Sequence, residues 1–186
     1  MRPSQQMQSF GVVQQGTPIL NQLAEPFDLP AERATAQAVI GKLFAAAEQI
    51  GRAHTFAKGM GLAAPQIGIP RAAALVRPLT AGAEPIILLN PKITVISDET
   101  DERYEGCLSF FDVRGMVPRP LRMDVTSTAL DGVITTATYE FGLARLVAHE
   151  IDHLDGLLYT DRMRPDVHPI PVEEYRQTGH AWAYEQ

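Results

Sequence analysis

Two histidines stand four residues apart in His149-Glu150-Ile151-Asp152-His153. On an α-helix that spacing is a rotation of about 400°, which leaves the two imidazoles only ~40° apart around the axis. Both can reach one metal ion, and H-E-x-x-H on a helix is the pattern of metal-assisted hydrolysis. The competing explanation is a helix with two half-exposed histidines and a salt-bridging Glu150. A catalytic metal centre takes three protein ligands and keeps one position open. Cys107, the 1 cysteine of the chain, lies in Glu105-Gly106-Cys107-Leu108-Ser109 and is the natural third ligand. Taken alone, a single cysteine is more often a small buried hydrophobe.

The elements that must position these residues follow from periodicity. Leu143, Leu146, Val147, Ile151 and Leu154 form one apolar stripe, which predicts a helix from about 143 to 155, stopped at Gly156 by a left-handed cap. The His pair lies beside this stripe. Arg145, Asp152 and Asp155 fall on the other side and need partners or solvent. Asp28 and Pro30 are helix start signals, and Val39, Ile40, Leu43, Phe44, Ala47 and Ile50 recur at helical spacing, so a first helix is expected to end near Gly51. Between 71 and 141, Pro and Gly punctuate short β-prone runs, the pattern of antiparallel strands and turns. A hairpin is expected with Asp131-Gly132 as a two-residue turn. Residues 1–28 read as an irregular surface arm, Gly59 to Gly68 as loop, and the stretch with Pro165, Pro169 and Pro171 as a mostly irregular tail. Helix, then strands, then helix, without regular alternation, makes the fold class α+β.

Composition narrows the function. The 186 residues are 45% apolar and 20% charged, which suits one globular domain over 1–186. The net charge of -6 and the lack of a basic cluster argue against DNA and other nucleic-acid partners. No apolar run reaches membrane-spanning length, and the polar N-terminal stretch lacks the core of a secretory signal, so the expectation is a cytoplasmic protein with a reduced thiol. Ala64 stands where a dinucleotide-binding loop beginning at Gly59 would need its third glycine.

Three segments together, Gly59-Met60-Gly61-Leu62-Ala63-Ala64-Pro65-Gln66, Glu105-Gly106-Cys107-Leu108-Ser109 and His149-Glu150-Ile151-Asp152-His153, resemble the motifs of the peptide deformylase family, in the family's order. The resemblance runs from about Gln15 to Leu158. It implies antiparallel β-sheets around a central C-terminal helix that carries H-E-x-x-H, with an N-terminal helix. It implies a hydrolase that removes the formyl group from formyl-methionine at the start of nascent polypeptides. Cys107, His149 and His153 then correspond to the metal ligands. The ion is one divalent metal, usually ferrous iron, with zinc, nickel or cobalt able to occupy the same ligands. Glu150 corresponds to the catalytic acid and base. The side-chain amide of Gln66 and the backbone N–H of Leu108 correspond to oxyanion donors. Gly61 and Arg114 match substrate-binding positions, and Glu105 and Arg119 match an ion pair near the pocket. The partner is a formyl-methionyl peptide, with transient ribosome association expected of an enzyme that meets nascent chains.

Two alternatives share these residues. An H-E-x-x-H peptidase would use Glu150 similarly, but a cysteine ligand and Gln66 argue against it. A noncatalytic structural-metal module would need four protein ligands, and no fourth is evident. Ala148 stands where many deformylases carry Gln, and Phe111 where Pro is common, so an altered pocket rim is expected. His54, His168 and His180 read as solvated, and Trp182 and Tyr184 as packing on the body.

Overall fold

The computed structural model describes residues 2–56, 58–80 and 82–177. Four α-helices are present among them: α1 (Pro3–Ser9), α2 (Arg33–Ala53), α3 (Phe141–Leu154) and α4 (Val172–Gln177). The two long ones lie where apolar spacing predicts them. α2 buries Ala36, Val39, Leu43, Ala47 and Ile50 along one stripe, each larger side chain contributing roughly 1.5–3 kcal/mol of apolar transfer. α3 ends just before Gly156, whose φ of 74° supplies the expected left-handed stop.

Among the described residues nine strands make three antiparallel sheets. β1 (Met60–Ala63), β2 (Ala73–Arg77) and β3 (Ile86–Leu89) form the first, in the order β1-β2-β3. β4 (Lys92–Ile96), β7 (Arg122–Thr128) and β8 (Ile134–Glu140) form the second, with β7 central. β5 (Thr100–Cys107), β6 (Phe110–Pro120) and β9 (Ile170–Pro171) form the third, with β6 central. The class is α+β, as the order of elements requires. α3 packs against β1, β2, β6, β7 and β8, so its residues reach all three sheets.

Several local expectations fail. The N-terminal 28 residues are not an irregular surface arm: α1 buries Met7, and Val12 and Leu20 enter the core. Short apolar pieces too brief to show a period are ordered here by what they cover. Gly59 to Gly68 is not plain loop either, since β1 pairs with β2 from Met60↔Arg77 to Ala63↔Ala74 and a 3-10 turn, Ala64–Ile67, follows. The β7–β8 connection is longer than two residues. Ala129 N–H donates to Val133 O, and Gly132 takes φ 88° within the loop. Beyond Gly156 the chain is not mostly irregular, because β9 adds to β6 and leads into α4. His54 is half-buried and its ring meets Phe56 at 4.7 Å and Phe111 at 5.1 Å. His168 is exposed, as expected. His180, Trp182 and Tyr184 lie outside the described residues.

Candidate active site

Strand alternation and one turn of helix build the centre. On β5, Glu105 and Cys107 are two residues apart and so share the inward face, while Gly106 between them is exposed. Cys107 pairs with Phe110 across the Leu108-Ser109 turn, which puts its thiol at the hairpin end beneath α3. From α3, His149 and His153 present rings with centroids 5.1 Å apart. Cys107 Sγ lies 3.2 Å from His153 Nε2, and ligand atoms of Cys107, His149 and His153 all fall within 4.8 Å of one another. Ideal tetrahedral S and N ligands would stand about 3.5 Å apart around an ion. All three residues are buried, so the half-exposed alternative for the histidines fails.

The surroundings match a metal-binding donor set. His149 Nδ1 is held by Glu105 Oε2 at 2.9 Å, which leaves its Nε2 as the ligating nitrogen. Burial is the main cause that lowers the His153 pKa well below its usual value, with the Arg119 charge adding to it, so this imidazole stays neutral. Neutral imidazole is the ligating form. His153 Nδ1 and Glu150 Oε2 are buried without hydrogen-bond partners among the described residues, and a residue set with a soft thiolate and two imidazoles fits a divalent transition metal.

Glu150 is adjacent to His149 and fully enclosed. Burial is the main cause that pushes its carboxyl up to about 7, close to the pH at which a group can both accept and return a proton. Gln66 is held from both ends. Ala63 N–H donates to its Oε1 at 2.8 Å, and its Nε2 donates to Ser109 Oγ at 3.2 Å and toward Cys107 Sγ at 3.5 Å. The amide N–H therefore faces the sulfur.

Gly61 has a role beyond the expected approach of substrate. A Cβ at this position would stand 2.6 Å from Glu150 Cγ and closer still to Oε1. Gly61→Ala is expected to displace the carboxylate and lower kcat about 100-fold with metal content retained, the scale of an ångström-sized misplacement. Steady-state kinetics beside metal analysis checks this. An alanine variant with native kcat would show that Glu150 can shift without cost.

Gly61, Gln66, Cys107, Leu108, Arg114, His149 and Glu150 line one cavity of about 380 Å³, and His153, outside that lining, meets Cys107 Sγ. Arg114 packs over Gly106 there. Phe111 is also in the wall, with its ring 5.1 Å from the Arg114 guanidinium, and Ala148 is buried in the apolar cluster beneath α3.

The polar side of α3 finds partners rather than solvent, except at exposed Asp155. Glu105 accepts from Arg119 Nε and Nη2 at 2.9 and 3.0 Å and from Arg145 Nη1 at 2.8 Å, besides His149. Asp152 accepts from Arg119 at 2.6 Å and Arg162 at 2.7 Å. Burial alone would raise the Glu105 carboxyl, yet Arg119 and the hydrogen bonds from His149 and Arg119 hold it well below the carboxylate range. Tyr159 stacks on the His149 ring, with centroids 6.0 Å apart. Arg145, Tyr159 and the orienting role of Glu105 escape a reading by motif. Only the two-residue spacing of Glu105 from Cys107 on a strand hints at the last.

Comparison with known proteins identifies the family. Residues 10–168 match the family model described as polypeptide deformylase. The chain is 34% identical over 173 residues to peptide deformylase 2 of Nostoc sp., covering 89% of this chain and 92% of that one. The crystal structure of Thermotoga maritima peptide deformylase superposes with a TM-score of 0.71 at 30% identity, over 83% of this chain and 97% of the other. The Met-Ala-Ser-bound class I type b peptide deformylase of Acinetobacter baumannii does so at 0.70 and 28% identity, over 82% and 96%. With the family match spanning most of its length, the chain belongs to the polypeptide deformylases.

Proposed function

We propose that Cys107, His149 and His153 hold one divalent metal ion and that Glu150 moves the proton in hydrolysis of N-formyl-methionyl peptides. The family's activity is removal of the formyl group from the N-terminal methionine of nascent polypeptides, with release of formate. The observation that carries the residue assignment is the buried cluster of one sulfur and two imidazoles beside an unpartnered, buried carboxylate oxygen. A metal ion held there supplies Lewis acidity that activates water and polarises the formyl carbonyl.

The protein's own groups account for the remaining steps. Glu150 accepts a proton from the water whose oxygen adds to the formyl carbon. The N–H of Gln66 that faces Cys107 and the backbone N–H of Leu108 donate to the oxyanion that forms. Glu150 then delivers the proton to the amine nitrogen as the C–N bond breaks, and formate leaves with a free peptide N-terminus. Glu105 keeps His149 oriented throughout by accepting from Nδ1. Gly61 leaves room for Glu150 and for the substrate backbone, and Arg114 faces the peptide.

Ferrous iron is the assigned ion, with zinc, nickel and cobalt suited to the same donors. The chain acts as one domain in the cytoplasm, where formylated nascent chains and ribosomes are met. No helix among the described residues is long and apolar enough to cross a membrane. Formate release from formyl-Met-Ala-Ser by protein purified without oxygen and supplied with ferrous iron is the test. Release is expected. A folded, metal-loaded protein that releases none would overturn the assignment.

A further inference from the structure

The two oxyanion donors of the proposed mechanism come from different sheets. Gln66 lies in the 3-10 turn Ala64–Ile67 that follows β1, and Leu108 lies at the tip of the β5–β6 hairpin, between the paired residues Cys107 and Phe110. Peptide groups at such a tip lie outside the strand ladder, and the last carbonyls of a helical turn have no donor within the turn, so both need partners from elsewhere. Gln66 Nε2 reaches across to Ser109 Oγ at 3.2 Å, but that bond leaves the carbonyls of both segments unsupported.

Residues 12–15 support them. Val13 N–H donates to Gln66 O at 2.9 Å and Gln15 N–H to Ser109 O at 2.8 Å. Between these, the half-buried side chain of Gln14 donates from Nε2 to Leu108 O at 3.2 Å. The same Nε2 donates to Val12 O at 3.0 Å, so both amide hydrogens are engaged by carbonyls and the amide has one orientation. The segment is itself anchored on either side. Met7, Val12 and Leu20 are buried, and Ser4 donates from its N–H, at 2.9 Å, and from its Oγ to the Asp112 carboxylate on β6. Three consecutive residues thus brace both halves of the oxyanion hole. Gln14 does so through its side chain, which opens this brace to substitution.

We infer that Gln14 is a positioning residue for the oxyanion hole: its amide holds the Leu108 carbonyl and so fixes the turn that aims the Leu108 N–H at the oxygen shared with Gln66. The inference rests on the deformylase reading and adds a residue to it. Gln14 lies outside the cavity lining and acts through the turn. Donors fixed in place beforehand need no reorganisation when charge develops on the formyl oxygen. Without the amide, the turn keeps its bond from Gln15 but the Leu108 carbonyl loses this donor, so the Leu108 N–H is loosened rather than removed. Complete loss of one oxyanion donor costs about 10²–10³ in kcat, and a loosened one is expected to cost about tenfold.

The test compares Gln14→Ala and Gln14→Met with the native protein, each loaded with ferrous iron. Methionine is close to glutamine in length and donates no hydrogen bond. For both variants kcat on formyl-Met-Ala-Ser is expected to fall about tenfold with KM within about twofold of native. Metal content should be kept, and Tm should stay within about 4 °C, the scale of one lost hydrogen bond. Two inhibitors separate positioning from general damage. The product Met-Ala-Ser has no formyl oxygen, so its Ki should stay within about twofold of native, whereas a hydroxamate with a methionine-like side chain, whose oxygens stand in for the tetrahedral intermediate, should weaken in step with kcat. Native kcat in the Met variant would show that packing, not the hydrogen bond, is what Gln14 supplies, and would overturn the inference. Equal weakening of product and hydroxamate would overturn it as well. Either result leaves the deformylase reading intact. No formate from the native protein would remove both.

Discussion

Glu150→Gln lowers kcat by about 10²–10⁴-fold, the range for losing a positioned general acid and base, while the protein keeps its metal. The amide is nearly the same size, so it fits the space that Gly61 leaves open. It cannot accept the proton from water and return it to the amine. Formate-release kinetics and metal analysis on the same preparation separate the outcomes. Loss of metal with loss of rate would make Glu150 a ligand. Retention of both would remove it from the mechanism. With Glu150 as the proposed base, the rate of the native enzyme is expected to fall on the acid side as this carboxyl becomes protonated. Burial sets its carboxyl near 7 in the absence of a metal charge, and a cation a few ångströms away draws it lower. The acid limb is therefore expected at or below about pH 7 and should be absent from the residual activity of the Gln variant.

Glu105→Gln is expected to have the largest effect on stability. One buried carboxylate accepts four hydrogen bonds from Arg119, Arg145 and His149. A carboxamide has one acceptor oxygen and turns its N–H groups toward donors, so two buried guanidinium groups lose part of their compensation. Breaking a buried ionic network by removing one member costs about 3–5 kcal/mol, which for a chain of this size lowers Tm by roughly 10 °C. Metal affinity should fall about 10–100-fold as His149 loses its orienting acceptor. The sign of the pH dependence follows from Glu105 itself. Its folded pKa lies below the ordinary carboxyl value of 4.5, so its contribution is complete above that value and is lost as pH falls toward the folded pKa. Urea unfolding at neutral and acid pH should show the native-minus-variant difference shrinking below about pH 4.5. A constant difference across that window would mean that the ionised carboxylate is not what stabilises the fold.

Long amphipathic elements are readable because their periods repeat over many residues. α2 and α3 each show several turns of apolar spacing, and their observed ends lie within a few residues of the expected ones. The β7–β8 hairpin is visible from alternation on either side of Asp131-Gly132, although the connection runs over more residues than a two-residue turn. α1, β1 and α4 are each 4 to 7 residues long, too short for a period to emerge. Met7, Leu62 and Val172 are buried in them because larger elements cover them. Gly61 breaks the expected β pattern and still belongs to a strand, since the residue it faces is the Glu150 side chain.

The residues able to do chemistry were determined by the sequence itself: an imidazole pair at helical spacing, one thiol, and a glutamate next to a candidate ligand. Residue type sets which atoms can bind a metal or move a proton, and 3.6 residues per turn places His149 and His153 on one side of any helix that holds them. The motifs already pointed to Cys107 as the third ligand and to a Glu105–Arg119 pair; tertiary structure alone decided that Gly61 makes room for Glu150 and that Arg145 and Asp152 join Glu105 and Arg119 beneath the site. It also decided that α4, packed on β6 and β9, supplies Val172, Tyr175 and Arg176 to the cleft wall. These meetings join positions far apart in the chain through strand pairing and the packing of α3 on three sheets. Their stability depends on which buried charges find partners, and no local spacing encodes that.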